Sequence, residues 1–199
     1  MGLMRPMPHD ADRLRAALLR PGGESSDFDL NPNVALPPGR SLRPAAVLVA
    51  IWADRLILTK RASHLKHHPG QIAFPGGKVD ETDASHEDAA LREAREEIGL
   101  PSKSVEILGR LPAHETVTGF AMTPVLGLVR DSFDPIPEAG EVEEVFTVPL
   151  RHVLDPANFT IERRLWRGEW RRFYTVPYGP YYIWGATARI LRGLADRVT

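Results

Sequence analysis

The chain has 199 residues, 43% of them hydrophobic, which is enough to bury one core of substantial size. Its 25 Lys and Arg residues balance 26 Asp and Glu residues, and this near-neutral charge argues against sequence-independent binding to nucleic acid. Cysteine is absent, which excludes disulfides and thiolate chemistry.

The N-terminal part is predicted to be a short helix followed by an irregular segment. Residues 10–20 place their apolar side chains on one face, and a Pro-Gly-Gly sequence then ends the helix. Residues 21–44 are rich in Pro, Gly, Ser and Asn, which indicates a linker that wraps the domain or stays mobile. We therefore predict an N-terminal extension of residues 1–44 and one domain of residues 45–199.

The rest of the chain is predicted to be of the α+β class, with a mixed sheet between helices, because hairpin patterns alternate with well-separated helices. The longest apolar run lies in the first strand and is far too short to span a membrane. The N-terminus lacks a signal-like apolar core, which predicts a cytoplasmic protein. In chain order, the predicted elements are strands 45–52 and 55–60, helix 86–98, strands 105–110, 123–130 and 142–148, a hairpin over 163–176 that turns at Arg167-Gly168, and helix 185–197.

One of these elements, helix 86–98, carries the strongest chemical signal. Ser85 and Asp88 form a capping-box-like start, and Gly99 indicates the end of the helix. The apolar side chains occupy one sector, which anchors the helix to a core. Three glutamates share the adjacent sector, within about 100° of arc: Glu93, Glu96 and Glu97.

Three carboxylates within one helical turn predict a divalent-metal site, because like charges repel unless a cation or solvent neutralises them. A solvated acidic face is the ordinary alternative for such a run on a surface helix. The turn after Pro75 favours the metal, because Gly76 and Gly77 allow the backbone to approach the same carboxylates. Ligation by oxygen alone suits Mg²⁺ or Mn²⁺.

Residues 75–100 resemble the Nudix box. Their second half, from Arg92 to Leu100, follows the family pattern Arg-Glu-apolar-any-Glu-Glu-any-Gly-apolar, with a small alanine at the apolar place. Eight residues separate Asp83 from Arg92, one more than in that pattern. The Asp-x-x-Asp opening formed by Asp80 and Asp83 is typical of one branch of the family and accounts for the extra length.

That branch is the coenzyme A diphosphatases, to which residues 58–77 are also similar. This segment contains Leu-Thr-Lys-Arg-Ala, a later basic residue, His-Pro-Gly-Gln and Phe-Pro-Gly-Gly. Lys66 stands where the branch usually has Arg, so the charge is kept but the planar bidentate grip on a phosphate is not. Residues 117–125 and 182–188 are similar to the branch as well.

The resemblance implies the Nudix fold, an α/β/α sandwich with a mixed β-sheet. It implies metal-dependent hydrolysis of coenzyme A and its derivatives to 3',5'-ADP and 4'-phosphopantetheine or its acylated form. The implied metal ligands are the Gly76 carbonyl and the carboxylates of Glu93, Glu96 and Glu97. Arg92 would orient Glu96 four residues on, although an ordinary ion pair on the helix surface is an equal alternative.

A general base is predicted at Glu141, which lies in a stretch similar to the family's late acidic loop. Glu143, Glu144 and a merely solvated loop are the alternatives that the sequence leaves open.

Substrate contacts are predicted in the donor-rich segment that leads into the glycine turn, because it can clamp a diphosphate and a further phosphate. Four residues are assigned there: Arg61, Lys66, His68 and Gln71. The cluster of His64, His67 and His68 also allows a zinc site, but the absence of cysteine and the nearby acids favour a hard cation.

The predicted partner is a small nucleotide, coenzyme A or a derivative, with no nucleic acid and no membrane, and a homodimer is allowed. Two alternatives remain in the sequence: hydrolysis of another nucleoside diphosphate derivative such as ADP-ribose or NADH, and a Nudix module that senses a nucleotide. Three mutually repelling glutamates argue against the sensor, which has no need of them.

Overall fold

The computed structural model describes residues 8–34, 36, 39–166 and 168–199. These residues form a nine-stranded mixed sheet with helices on both faces, and a separate two-stranded hairpin. The helices are α1 (Pro8–Leu19), α2 (His86–Ile98), α3 (Leu150–Val153) and α4 (Gly185–Val198). The strands are β1 (Ser25–Ser26), β2 (Arg43–Trp52), β3 (Arg55–Arg61), β4 (Ile72–Ala73), β5 (Gly76–Lys78), β6 (Val105–Arg110), β7 (His114–Glu115), β8 (Phe120–Val129), β9 (Val142–Pro149), β10 (Thr160–Trp166) and β11 (Glu169–Thr175).

The sheet is organised around β2, whose side chains are buried on both faces. β2 pairs in parallel with β8 along its whole length, and antiparallel with β3 and β5. β9 extends the sheet beside β3, and β6 does so beside β8. Parallel and antiparallel pairs therefore coexist, which confirms the predicted α+β class and mixed sheet.

The alternation of side chains along β2 creates two cores. One core packs α2 against a first face of the sheet, and the other packs α1 and α4 against the opposite face. From β2, the first core receives Ala46, Leu48 and Ala50, and the second receives Val47, Val49 and Ile51. This arrangement confirms the predicted α/β/α sandwich.

Helix α2 begins and ends where its sequence predicts. The Ser85 hydroxyl accepts a hydrogen bond from the backbone N–H of Asp88 at 3.1 Å. Gly99 adopts a φ of 71°, and its N–H donates to the carbonyls of the last turn. Local capping therefore marks both ends of the helix that carries the three glutamates, and the N–H groups of Ile136 and Glu138 also bind the carbonyls of its last two residues.

Helix α1 and strand β1 of the N-terminal segment pack on the rest of the chain. Leu14 and Ala17 of α1 are fully buried in the core that contains α4. Within the predicted linker, β1 pairs in parallel with β7. Ser25 and Asp27 hydrogen-bond the two ring nitrogens of the buried His114 at 2.9 and 3.1 Å. The division into an extension of residues 1–44 and a domain of residues 45–199 stays a prediction.

Several short elements are absent from the sequence-based prediction: β1, β4, β5, β7 and α3. Each of them is too short to show a hydrophobic period. β8 begins three residues earlier than predicted, because its first residues pair with β2 and β7 rather than showing an apolar pattern of their own. The C-terminal hairpin is confirmed as β10 and β11, and Arg167 of its predicted turn lies outside the described residues.

In the described part of the chain, the helices are too short or too polar to cross a lipid bilayer.

The end of α2 offers a test of this architecture. Gly99→Ala should lower the free energy of unfolding by about 1–2 kcal/mol, because an L-residue is strained at a φ of 71° and its Cβ would lie 3.3 Å from the Cβ of Ile136. Gly23→Ala is the matched control, since its Cβ would enter open space at an ordinary φ. Urea unfolding of both variants measures the difference, and equal stabilities would contradict the assigned helix end.

Candidate active site

The three glutamates of α2 differ in burial, although they share one face of the helix. Glu97 is only 6% exposed, the Glu93 side chain is 17% exposed, and the Glu96 side chain is 51% exposed. Glu97 lies deepest because the following residue, Ile98, is anchored in the core against β2 and β8. The helix therefore holds one carboxylate inside the protein, one at its edge and one in solvent.

Glycine is required where β5 passes these carboxylates. A Cβ on Gly77 would lie 2.6 Å from the carboxylate of Glu93, and one on Gly76 would lie 2.5 Å from the carbonyl oxygen of Ala46. The Gly76 N–H donates to Glu97 Oε2 at 3.0 Å. The predicted approach of the glycine turn to the acids is thus present through an amide, while ligation by the Gly76 carbonyl stays a prediction.

Arg92 is the centre of an ion-pair network on the exposed side of α2. Its Nη1 donates to Glu93 Oε1 at 2.9 Å and to Glu96 Oε2 at 3.1 Å. The predicted contact with Glu96 is therefore present, but it is one of several. Nε and Nη2 donate to the two carboxylate oxygens of Asp83 at 3.0 and 2.9 Å, and Nη2 also reaches the Lys78 carbonyl at 3.0 Å. Arg92 is thus held from both sides.

Asp83 is the residue whose role the sequence analysis did not identify. Its side chain is 5% exposed, and the hydrogen bond from Arg92 is the main cause of a lowered pKa. The signal was present in the Asp-x-x-Asp opening, but nothing local indicates that the second aspartate folds back onto Arg92. Asp83 does not point to the three glutamates directly. It fixes the arginine that does.

Negative charge is concentrated and only partly compensated around Glu97. Burial raises its pKa to about 8, and the charges of Glu93 and Glu141 add to the rise. The Gly76 N–H and the charge of Arg61 oppose it. Burial likewise raises the pKa of Glu93, against the hydrogen bond from Arg92. A cation beside these groups would remove the electrostatic cost of their ionisation.

This donor set fits a hard divalent cation, because its ligands are carboxylate oxygens. Glu93, Glu96 and Glu97 would hold the ion. Among the residues that the structure describes, no three His, Asp or Glu side chains converge as a ready-made cluster, and this includes the histidines considered for zinc. Glu93 and Glu96 instead share Arg92, so binding of an ion requires their side chains to reorient.

The three candidate bases differ in whether their carboxylates already accept hydrogen bonds from other side chains. Glu143 is engaged by Lys60 Nζ at 2.6 Å and by Ser63, and Glu144 accepts a hydrogen bond from Tyr181. Within the described residues, the exposed Glu141 side chain has no hydrogen-bond partner, and its charge acts on both Glu93 and Glu97. Glu141 is therefore available near the glutamates of α2, and its role as base stays a prediction.

The predicted substrate segment forms a loop beside the same glutamates. The loop leaves β3 at Arg61, and two backbone hydrogen bonds close it. The N–H of Arg61 donates to the Gln71 carbonyl at 2.9 Å, and the N–H of Gly70 donates to the Arg61 carbonyl at 3.1 Å. Arg61 lies close enough for its charge to lower the pKa of both Glu97 and His68. Partial burial is the main cause of the lowered His68 pKa. Lys66 is exposed on this loop.

Gln71 connects this loop to the C-terminal helix. A Cβ on Gly185, the first residue of α4, would lie 3.8 Å from Gln71 Nε2. The Thr187 hydroxyl also donates to the carbonyl of Ile72 at 3.0 Å. Residues 182–188, singled out in the sequence, are therefore adjacent to the substrate segment although more than 100 residues separate them along the chain.

The Arg92 network predicts a specific effect of Asp83→Asn. This variant should lower the free energy of unfolding by about 1–2 kcal/mol at neutral pH, because it removes a charged acceptor from a partly buried ion pair with two hydrogen bonds. Because the folded pKa of Asp83 is depressed, the stabilisation is present above the unfolded pKa and is lost as the pH falls through the folded pKa.

The control is Asp80→Asn, since Asp80 is 60% exposed and lies 3.6 Å from Arg92. Chemical denaturation at several pH values should show a smaller loss for this variant. The assigned pair of Asp83 and Arg92 would be contradicted if the two variants were equally stable. It would also be contradicted if the loss of unfolding free energy in Asp83→Asn persisted at acidic pH.

Comparisons with known proteins agree with this geometry. The family model described as NUDIX domain matches residues 42–167. The chain is 46% identical over 162 residues to "Uncharacterized Nudix hydrolase NudL" of Enterobacter sp. (strain 638), covering 78% of this chain and 83% of that protein. The protein of the same name from Salmonella newport (strain SL254) is 44% identical over 159 residues, with the same coverage of 78% and 83%.

A solved structure supports the fold. The NUDIX domain of Shewanella oneidensis NrtR complexed with ADP ribose superposes with a TM-score of 0.51 at 17% identity, covering 82% of this chain and 94% of that one. This likeness concerns the fold alone. Together with the family match and the two relatives, it leads to one conclusion: the chain belongs to the Nudix hydrolases, enzymes that act on diphosphate bonds and generally use divalent metal ions.

Proposed function

We propose that the protein hydrolyses the diphosphate bond of coenzyme A and its derivatives to 3',5'-ADP and 4'-phosphopantetheine or its acylated form. The proposal rests on one observation: the branch-like segment 58–77 meets the glutamates of α2 at both of its ends. At one end the Gly76 N–H binds Glu97, and at the other end the charge of Arg61 lowers the pKa of Glu97. A substrate held by this segment would therefore lie against the acidic face.

The diphosphate bond is protected by its own negative charge, which repels a nucleophile. A divalent cation, Mg²⁺ or Mn²⁺, supplies positive charge at the phosphoryl oxygens and activates a water when bound. Arg61 and Lys66 add positive charge from the loop, while His68 and Gln71 contribute hydrogen-bond donors to the same segment. These four side chains would bind the diphosphate and orient it over α2.

Proton transfer from the attacking water requires a carboxylate that is free to accept the proton. Glu141 meets this requirement better than Glu143 and Glu144, which are already bonded to other side chains. Its exposed position allows it to reach a water beside Glu97. We propose that Glu141 accepts the proton of the attacking water, and that Arg92 keeps Glu93 and Glu96 beside the metal site. A cytoplasmic location and a homodimer stay predictions.

A substrate panel tests the proposed function. The full-length protein should hydrolyse coenzyme A with a higher kcat/KM than ADP-ribose, NADH or nucleoside triphosphates, with Mg²⁺ and with Mn²⁺. Mass spectrometry should identify 3',5'-ADP and 4'-phosphopantetheine as the products. A clear preference for ADP-ribose or NADH would show that coenzyme A is not the main substrate. This alternative has to be tested, because the chain has Lys66 where the coenzyme A diphosphatases usually have Arg. Binding without hydrolysis of any of these compounds would favour a sensor.

The ligand set is tested by Glu97→Gln. Turnover should fall by two or more orders of magnitude, since the change removes a ligand charge. The fold should persist, because glutamine can still accept the hydrogen bond from Gly76 N–H and no longer buries a charge. Glu81→Gln, at an exposed glutamate between β5 and α2, is the control. Near-normal metal-dependent turnover with Glu97→Gln would show that the ligand set is wrong.

A further inference from the structure

The hairpin of β10 and β11 has two faces of different character. Residues paired across an antiparallel hairpin lie on the same face, and neighbours along a strand lie on opposite faces. One face carries the pairs Ile161/Tyr174, Arg163/Arg172 and Leu165/Trp170. The other face carries Glu162/Phe173, Arg164/Arg171 and Trp166/Glu169.

The second face continues into an aromatic surface formed by Phe173, Tyr182 and Trp184, called the aromatic wall below. The ring centroids of Phe173 and Trp184 are 5.2 Å apart in an edge-to-face arrangement, and those of Tyr182 and Trp184 are 6.4 Å apart. The Tyr182 hydroxyl donates to Glu162 at 2.6 Å, which holds the ring in place. Tyr182 is nevertheless 44% exposed, so its ring is available to a ligand.

The wall adjoins the proposed diphosphate site. Trp184 pairs with Thr175 of β11, and the next residue, Gly185, lies beside the Gln71 side chain. Gln71 in turn is bonded through its carbonyl to the N–H of Arg61. A nucleotide whose diphosphate lies beside Arg61 and Gln71 can therefore extend one end over the wall.

Two arginines lie on the same side of the hairpin as the wall. Arg164 is exposed and forms no ion pair within the part of the chain that the structure describes. Arg164 follows Glu162 by two residues on the same face of β10, and Glu162 accepts the hydrogen bond from the Tyr182 hydroxyl, so Arg164 lies on the same side of the hairpin as the tyrosine. Burial and the bond to Glu162 raise the pKa of Tyr182 to about 12, and the charge of Arg164 opposes this rise. Arg171 lies over the ring of Trp166 at 5.7 Å, its Nη2 lies 3.5 Å from Glu169 Oε2, and its buried Nε lacks a hydrogen-bond partner.

We propose that this surface binds the 3'-phosphoadenosine end of the substrate, with the base against Tyr182 and Trp184 and the 3'-phosphate against Arg164 and Arg171. Aromatic rings stack on a planar base, and arginine is suited to a doubly charged phosphate. An apolar pantetheine or acyl chain fits less well, because it would bury Glu162 and two arginines without new partners. The inference rests on the proposed function, since it takes the substrate to be coenzyme A.

Direct binding tests this assignment without turnover. Isothermal titration calorimetry of the full-length protein with 3',5'-ADP, 5'-AMP and 4'-phosphopantetheine should give a Kd for 3',5'-ADP at least about tenfold lower than that for 5'-AMP. Arg164→Gln should remove most of this preference. Arg163→Gln, at the adjacent residue on the opposite face, is the matched control and should bind both nucleotides as the unmodified protein does.

The aromatic contribution is tested at the exposed ring. Tyr182→Ala should weaken binding of 3',5'-ADP and 5'-AMP to similar extents, whereas Tyr182→Phe keeps the ring and should retain most of the affinity. Thermal unfolding of each variant verifies that the hairpin is intact. Equal affinities of the unmodified protein for 3',5'-ADP and 5'-AMP would overturn the phosphate assignment. Loss of 4'-phosphopantetheine binding in Tyr182→Ala, with nucleotide binding kept, would assign the wall to the opposite end.

The two proposals can fail separately. If coenzyme A is hydrolysed but Arg164→Gln and Tyr182→Ala bind 3',5'-ADP normally, the subsite is wrong and the function stands. If 3',5'-ADP binds with the expected dependence on both residues but coenzyme A is not hydrolysed, the subsite stands and the substrate assignment is wrong.

Discussion

Burial of the Glu97 carboxylate is the constraint on which the rest of the site depends. Its pKa of about 8 shows that ionisation is costly when no cation is present. The surrounding structure limits this cost with a backbone amide from Gly76 and with the positive charge of Arg61. Because neither contact fully compensates the charge, a cation beside Glu97 would favour its ionised form.

The close approach of β5 to α2 follows from the same constraint. The strand must bring an amide to Glu97 while passing the carboxylate of Glu93, and only residues without a Cβ fit at both positions. Pairing of β5 with β2 holds the turn against the sheet, and α2 packs on the same sheet through its alanines. The geometry between the turn and the helix is therefore set by a common support, and the contacts of Gly76 with Glu97 and of Lys78 with Arg92 join the two elements directly.

Arg92 connects this buried centre to the solvent. It contacts two glutamates that face the site, and its position is fixed by Asp83 and the Lys78 carbonyl. The arginine can release one glutamate without losing its place, because several acceptors share it. This redundancy would allow Glu93 or Glu96 to turn toward an ion while Arg92 keeps its bonds to Asp83 and Lys78.

The sequence by itself determined α2, because a serine cap, a glycine at the left-handed position and a 3.6-residue period are local properties. It also determined that three glutamates share one face, and the resemblance of the box identified the family. Short strands such as β4, β5 and β7 were not predictable, because their two or three residues carry no period of their own and are ordered only by pairing with longer strands.

The tertiary structure alone decided how the three glutamates of α2 differ in burial. Sequence spacing treats Glu93, Glu96 and Glu97 as equivalent, whereas packing of α2 on the sheet buries one and leaves another in solvent. It also decided that Asp83 holds Arg92 and that Gln71 contacts the start of α4. The physical reason is the same in each case: burial and electrostatic coupling depend on distances between segments, and those distances are fixed by the pairing of strands that are remote in the chain.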